Sequence, residues 1–173
     1  ALITVHVPLK KAALLITKKE IIKKAKVINE ALIKDFGIKN PRIALAGINP
    51  HAGENGQLGQ EEMEIINPAA ETLRKEGINI SDALPADTLF REEARSMYDA
   101  AIAMYHDQGL IPVKTLDSYG GVNITLGLPI VRTSPDHGTA FNIAGKNIAR
   151  PDSLIAAIKT AREISDNRAI QNA

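Results

Sequence analysis

The sequence contains no cysteine and no tryptophan, and only three tyrosines and three phenylalanines among its 173 residues. The lack of cysteine excludes a disulfide framework, a thiolate metal site and a cysteine nucleophile. The scarcity of aromatic side chains argues against a stacking surface for single-stranded nucleic acid. An excess of either charge is also lacking, since 21 basic and 20 acidic residues leave a net charge of +1. We therefore expect neither a basic face nor a nucleic-acid partner.

Long apolar runs are absent too, because none approaches the roughly 18 residues that cross a membrane. The chain also lacks a charged-then-apolar signal segment. These absences predict a cytoplasmic protein without a membrane partner, and the length suits one domain with its own core. The chain has no initiator Met and opens on an apolar segment, residues 2–7. Because chain termini are usually polar and loosely held, we expect the sequence to begin inside a larger protein.

What is present is an alternation of strand-like and helix-like segments. Apolar, β-branched runs predict strands at residues 2–7, 43–47, 100–104, 122–126 and 130–133, the last two as a possible hairpin. Strands that alternate with helices indicate an α/β architecture.

Helices are predicted between these strands from apolar residues at helical spacing. A capping box at residues 17–20 begins a helix that ends at Gly37. A second helix covers residues 60–75, with an apolar face made by Met63, Ile66, Ala70 and Leu73. A short polar helix is expected at residues 91–98. Pro151 begins the last helix, with an apolar face made by Leu154, Ile155, Ile158 and Ala161.

The histidines are the first candidates for chemistry. His6, His51 and His106 each fall at or just after a short apolar strand, and ligands of open α/β sheets collect beyond the carboxyl ends of the strands. Three converging imidazoles are a familiar set of ligands for a divalent metal. Asp87 and Asp107 can supply a carboxylate ligand or orient an imidazole. The alternative for each histidine alone is a hydrogen-bonded surface residue.

Three polar residues beyond His106 suit an anion. We expect them on or beside the strands that follow His106. A lysine and an arginine with an amide between them can bind a phosphate or a carboxylate, and here these are Lys114, Asn123 and Arg132. The alternative is two solvated charges and a turn amide.

Two loops rich in glycine leave alternatives open. Residues 47–59 contain four glycines and match neither GxGxxG nor a Walker A loop, so they allow either close approach of a ligand or a tight turn. Residues 134–146 either hold a nucleotide through backbone groups or form an ordinary connection.

Five stretches together resemble the 4-hydroxythreonine-4-phosphate dehydrogenase family of vitamin B6 biosynthesis. They are Asn49-Pro-His-Ala-Gly-Glu54, Pro85-Ala-Asp-Thr-Leu-Phe90, Tyr105-His-Asp-Gln-Gly109, Gly121-Val-Asn-Ile-Thr-Leu-Gly-Leu-Pro129 and Arg132-Thr-Ser-Pro-Asp-His-Gly-Thr-Ala140. They keep the family's order and spacing, and the match covers the family's C-terminal half only. The resemblance implies a three-layer α/β/α fold like that of isocitrate and isopropylmalate dehydrogenases. It also implies that residues 1–173 are the C-terminal part of a two-domain dehydrogenase.

The resemblance further assigns roles to individual residues. It implies a metal site made by His6, His51 and His106. It implies substrate binding by Lys114, Asn123 and Arg132. Catalytic roles fall to Lys114 as a proton donor, with Asp87 and Asp107 near the metal. The nucleotide would be bound by His137, Gly138, Thr139, Ala140 and Asn142.

The implied reaction is the oxidation and decarboxylation of 4-phosphooxy-L-threonine, with NAD or NADP and a divalent metal (Zn, Co, Mg or Mn). Family members are homodimers whose shared active site takes metal ligands from both chains. Related alternatives are a dehydrogenase of a threonate or erythronate 4-phosphate and an inactive fragment of such an enzyme. A third alternative is a metal-binding domain that catalyses hydrolysis or aldol chemistry without a nucleotide.

Overall fold

The computed structural model describes residues 1–171. The helices are α1 (Leu9–Leu15), α2 (Lys18–Lys34), α3 (Asn67–Lys75), α4 (Ala86–Leu89), α5 (Glu92–Arg95), α6 (His106–Leu116) and α7 (Asp152–Gln171). The strands are β1 (Ile43–Ala46), β2 (Ile80–Leu84), β3 (Ala100–Ile102), β4 (Val122–Ile124) and β5 (Thr133–Pro135). Shorter turns occupy Pro50–Gly56, Glu62–Ile66 and Phe141–Ile143. None of the helices within residues 1–171 is both long and apolar enough to cross a membrane.

The sheet that positions the site is parallel, with the strand order β2-β1-β3. Beyond β3, Leu2 forms a parallel bridge with Ala103, so the start of the chain lies beside the end of that strand. A separate antiparallel pair joins β4 to β5, with Val122 opposite Pro135. The predicted hairpin is therefore confirmed, although its second strand begins at Thr133 instead of Ile130.

Strand β1 lies at the centre of the core and is buried on both faces. Ile43 and Leu45 pack in the larger apolar cluster with residues of α2 and α3, whereas Ala44 and Ala46 pack with Leu89 of α4. Alternating side chains of a strand point to opposite faces. The sheet therefore carries helices on both sides, which gives the three-layer α/β/α arrangement that was expected.

The two central helices confirm the sequence pattern, with one change of face. Thr17 caps α2 by accepting a hydrogen bond from the Glu20 N–H (3.2 Å). Before α3, residues Glu62–Ile66 form a π-helical turn, which inserts an extra residue just ahead of Pro68. This turn leaves Met63 55% exposed, contrary to the prediction, and buries Glu62 instead.

Several expected elements are absent or different among residues 1–171. Residues 2–7 form no strand beyond the Leu2 bridge. The polar helix predicted at residues 91–98 is only the single turn α5. Helices α1 and α6 and strand β2 were not anticipated. Helix α6 contains Gly109 and Pro112, residues that normally indicate a loop.

Helix α7 buries a different face from the predicted one. Leu154, Ile155 and Ile158 are exposed, while Ser153, Ala157 and Ile164 are buried. Polar contacts select this face, because the Ser153 hydroxyl donates to the Gly121 carbonyl (2.6 Å). Near the other end of α7, the Arg168 guanidinium forms an ion pair with the buried carboxylate of Asp35 (2.6 Å), which follows α2.

Lysines are concentrated in the first part of the chain, although the net charge is balanced. Residues 1–39 contain nine lysines against three acidic residues. Four of these lysines, Lys18, Lys19, Lys23 and Lys26, border one shallow depression on α2. A near-neutral total therefore does not describe the local surface potential.

Candidate functional site

His6 and His106 are brought together by the pairing of two segments at the end of the sheet. The Ile3 N–H donates to the Ala103 carbonyl (2.8 Å), and the Thr4 N–H donates to the Met104 carbonyl (3.2 Å). His6 and His106 follow these paired residues by the same short distance along each segment. Their ring centroids lie 5.2 Å apart.

The pair has the donor chemistry of a divalent metal site. His106 Nδ1 is buried and has no hydrogen-bond partner among the described residues. Buried polar atoms are normally satisfied, and an orphaned one requires an explanation. Two adjacent imidazoles with an unsatisfied nitrogen suit zinc, cobalt or another divalent cation. Two of the three expected ligands therefore fit such a site in one chain.

His51 does not join this pair. It lies in a left-handed turn with its side chain 67% exposed, and its Nδ1 is 3.7 Å from Glu54 Oε2. Within residues 1–171, no three His, Asp or Glu side chains cluster closely enough to hold a metal ion. The three-histidine site is consequently not formed within a single chain.

The loop that carries His51 is built around a residue that sequence reasoning missed. The Glu62 carboxylate is only 1% exposed and accepts hydrogen bonds from the backbone N–H groups of Ile48 and Asn49 (both 2.8 Å). A signal was available, because Glu62 precedes Ile66, Ala69 and Leu73 at helical spacing and so continues the buried stripe of α3. Two glycines of this loop, Gly47 and Gly53, approach the carboxylate of Glu62.

Gln108 was also missed, and it connects the two histidine-bearing regions. Its side-chain oxygen accepts from the Met104 N–H (2.6 Å), and its side-chain nitrogen donates to the Gly47 carbonyl (2.6 Å). The first turn of α6, which begins at His106, is thereby fixed to the end of β1, where the glycine-rich loop begins.

The predicted anion-binding residues lie on three different elements. Lys114 lies on α6, not on or beside a strand, and its Nζ pairs with Asp136 Oδ2 (2.9 Å). Asn123 lies on β4 and borders a cavity of about 580 Å³ between α2, α6 and β4. Arg132 precedes β5 and donates to the Thr125 hydroxyl (2.8 Å). Only Asn123 among them lines that cavity.

Lys23, Lys24 and Asp136 also border this cavity. The two lysines give it basic character, as an anionic ligand requires. Lys24 is already engaged in a hydrogen bond within the protein, because its Nζ donates to the Ile3 carbonyl.

The two predicted catalytic aspartates both occupy first turns of helices. Asp87 lies in α4 and Asp107 in α6, and both are exposed. Neither side chain forms a hydrogen bond or ion pair within the described part of the chain. Asp107 directly follows His106, whereas Asp87 lies on the opposite face of the sheet from α2.

The predicted nucleotide loop lines a second cavity, of about 540 Å³. His137, Gly138, Thr139 and Ala140 border it, whereas Asn142 lies in the neighbouring short turn and is not among the lining residues. The remainder of the wall includes Asp117, Tyr119, Arg150 and Asp152.

An aromatic ring and a charged pair organise one wall of this cavity. The Arg150 guanidinium lies 3.8 Å from the centroid of the Tyr119 ring. Arg150 also hydrogen-bonds to Asp152 (3.0 Å) and thereby lowers the pKa of that carboxyl group. No sequence motif indicated the contact between Arg150 and Tyr119, because Tyr119 lies in a loop some thirty residues before Arg150.

The fold is of the isocitrate/isopropylmalate dehydrogenase type. The chain belongs to the family described as "Pyridoxal phosphate biosynthetic protein PdxA", whose sequence model matches residues 1–161. Membership also supports the resemblance predicted from the loop motifs.

Several of the similar proteins share one name. The 4-hydroxythreonine-4-phosphate dehydrogenase of Maricaulis maris is 64% identical over 168 residues, 97% of this chain and 49% of the relative. The protein of the same name from Caulobacter vibrioides is 60% identical over 98% of this chain and 51% of its own length. The crystal structure of the Klebsiella pneumoniae enzyme matches with a TM-score of 0.86 at 44% identity, covering 95% of this chain and 49% of that one. The chain thus spans about half the length of the relatives it matches.

Proposed function

We propose that this chain is the C-terminal part of a metal-dependent NAD(P) dehydrogenase that oxidises and decarboxylates 4-phosphooxy-L-threonine in pyridoxal 5'-phosphate biosynthesis. The observation that carries the proposal is the His6–His106 pair, 5.2 Å apart at the end of the sheet, in a chain of the PdxA family. We further propose that the enzyme works in the cytoplasm as a homodimer.

His6 and His106 would hold the divalent cation, with the partner subunit's His51 as the third ligand. This sharing accounts for the exposure of His51 and for its distance from the pair within one chain. Bound there, the cation supplies Lewis-acid stabilisation of negative charge on a substrate oxygen. Asp107, next to His106, would act near the metal from α6, and Asp87 would do so from α4, which lies beside the turn that carries His51.

The substrate's two anionic groups would be bound by Lys114, Asn123 and Arg132. Lys114 is already paired with Asp136, which holds its ammonium group in place, so an incoming phosphate or carboxylate competes with that carboxylate. Lys23 and Lys24 add positive charge to the cavity that Asn123 borders. The nucleotide would lie against residues 137–140 in the second cavity, with Asn142 at its margin.

The reaction balances with these residues in place. The carbon that bears the secondary hydroxyl gives a hydride to the nicotinamide, while the hydroxyl proton leaves, so the alcohol becomes a ketone. The β-keto acid then loses carbon dioxide, and the electron pair of the broken bond remains on the neighbouring carbon. Lys114 would return a proton to that carbon, as a general acid does.

The test uses a completed protein, in which the remaining part of the Maricaulis maris relative is joined to this chain. With NAD or NADP and each of Zn²⁺, Co²⁺, Mg²⁺ and Mn²⁺, we expect NAD(P)H and carbon dioxide to form in equal amounts from 4-phosphooxy-L-threonine. Preferential turnover of 4-phospho-threonate would instead assign the related substrate. No turnover of either compound, with any of the metals, would overturn the proposal.

A further inference from the structure

We propose that Glu62 is a positioning residue for the metal site, because its buried carboxylate holds the left-handed turn that presents His51. The inference rests on the proposed function, in which the partner subunit's His51 is a ligand. It assigns a role to a residue that lies in the core and that, by its position, touches neither metal nor substrate.

The turn is costly without an external support. Four residues other than glycine have positive φ in succession around Gly53, namely His51 (51°), Ala52 (52°), Glu54 (42°) and Asn55 (56°). The left-handed conformation is unfavourable for each such residue, because its Cβ comes too close to the following carbonyl oxygen. Strained backbone of this kind persists only where the surroundings determine it, and it concentrates at functional sites.

The Glu62 carboxylate holds the turn in place from beneath it. Its Oε1 accepts from the N–H groups of Ile48 and Asn49 (both 2.8 Å), the residues that lead into the turn. Its Oε2 accepts from the Asn49 side-chain amide (2.9 Å). The same amide donates to Glu61 Oε2 (2.6 Å), and this hydrogen bond lowers the pKa of Glu61. Both oxygens of the buried carboxylate are therefore used to fix the entry to the turn.

Two glycines of the loop lie directly against the same carboxylate. A Cβ on Gly53 would lie 2.7 Å from Glu62 Oε2, and a Cβ on Gly47 would lie 3.0 Å from Oε1. A Cβ on Gly59 would lie 2.2 Å from the Asn49 side-chain nitrogen. The backbone at Gly47 and Gly53 thus encloses the carboxylate, so a movement of that carboxylate must move the turn.

The loop is also connected to the histidine pair. Gly47, the first residue of the loop, accepts from the Gln108 side chain, whose oxygen holds the Met104 N–H just before His106. One frame therefore fixes the direction of His51 and the start of the helix that carries His106. In a symmetric dimer, a fixed His51 on one subunit can meet a fixed His6–His106 pair on the other.

The test measures Co²⁺ affinity, by competition with a chelator, and the visible spectrum of the Co²⁺-loaded completed protein. Glu62→Gln replaces one carboxylate oxygen with an amide nitrogen, which cannot accept a hydrogen bond from the N–H groups that now bind there. We expect the Co²⁺ affinity to fall by about 10–100-fold, as for other residues that orient metal ligands. The Co²⁺ spectrum should change as well. Asp35→Asn is the matched control, because Asp35 is buried and paired but lies away from the histidines. It should lower the Tm without changing affinity or spectrum.

Asn49→Ala is a milder variant, because it removes only the side-chain amide that donates to Glu62. It tests the positioning role if the Glu62→Gln protein does not fold. Unchanged affinity and spectrum in a folded Glu62→Gln or Asn49→Ala protein, with the Tm lowered as in Asp35→Asn, would show a purely structural role and overturn the inference. His51→Ala separates the two proposals. If it leaves affinity unchanged, the ligand assignment itself has failed; if it lowers affinity and Glu62→Gln does not, only the positioning role has failed.

Discussion

Two histidines of the proposed site are held in opposite ways. His106 begins a helix, stacks obliquely near His6 and has a buried Nδ1 without a partner, whereas His51 is exposed on a turn that other residues hold. An imidazole that is held but not satisfied can bind a cation without first losing a protein hydrogen bond. The cost of arranging the ligands is therefore met during folding, by backbone pairing near His6 and by Glu62 beneath His51.

Removal of single imidazoles tests this assignment. His106→Ala and His51→Ala should each reduce the metal affinity of the completed protein by roughly tenfold or more, since each deletes a ligand and not merely its support. Metal content after dialysis, measured by mass spectrometry, reports the change. His137→Ala is the control, because His137 is exposed in the nucleotide loop and should leave metal content intact. Undiminished metal in His106→Ala would refute the ligand role.

Among the elements, the entries of β1 and β3 are joined by an ion pair that makes stability depend on pH. The Arg42 side chain hydrogen-bonds to Asp99 (2.9 Å) and lowers the pKa of that carboxyl group. A lowered pKa in the folded state adds stability above the unfolded value of about 3.9, and this stability is lost as the pH falls below it. Asp99→Asn should therefore lower the Tm at pH 7, and the difference in Tm between the wild-type and variant proteins should become smaller as the pH falls. A Tm difference that stays constant with pH would show that the ion pair is not its cause.

Helix α7 offers a direct test of which face is packed. Ile164 is 1% exposed, whereas Ile158 is 62% exposed, although sequence periodicity places Ile158 on the apolar face. Ile164→Ala should cost about 2–5 kcal/mol in urea unfolding of the chain, as buried truncations do. Ile158→Ala should change stability by no more than about 0.5 kcal/mol. The reverse order would mean that the helix packs through the face that periodicity predicts.

Elements with one dominant signal were predictable, and those governed by distant partners were not. The capping box fixes the start of α2, and a short apolar run identifies β1. Helix α6 was hidden because Gly109 and Pro112 oppose a helix locally, while Gln108 and the contacts around it favour one. The face of α7 depends on Ser153 and Arg168, whose partners lie far away in the sequence.

The site shows the same division between local and distant information. Loop motifs were sufficient to identify the family, and with it the candidate ligands, because their residues lie close together in sequence. Glu62 was missed because a carboxylate is rarely buried, although its spacing from Ile66, Ala69 and Leu73 continues the buried stripe of α3. Sequence reasoning therefore found the groups proposed to act and missed the groups that hold them.

For the whole molecule, a shared metal site predicts complementation between inactive variants. His6 and His106 lie together in one chain, whereas His51 would come from the other. In a mixed dimer of His51→Ala and His106→Ala subunits, one site has lost two ligands and the other keeps all three. Unfolding and refolding an equal mixture of the completed variants makes about half of the dimers mixed, so about a quarter of wild-type activity should return.

The control for this experiment is an equal mixture of His6→Ala and His106→Ala proteins. Because these two residues serve the same site from the same chain, every site in every dimer lacks at least one ligand, and no activity should return. Recovery in the first mixture without recovery in the second requires that the subunits exchange ligands across a two-fold interface. Absence of recovery from refolded, dimeric His51→Ala and His106→Ala proteins would place all three ligands in one chain. The exposed His51 turn would then have to move toward the pair when the metal binds.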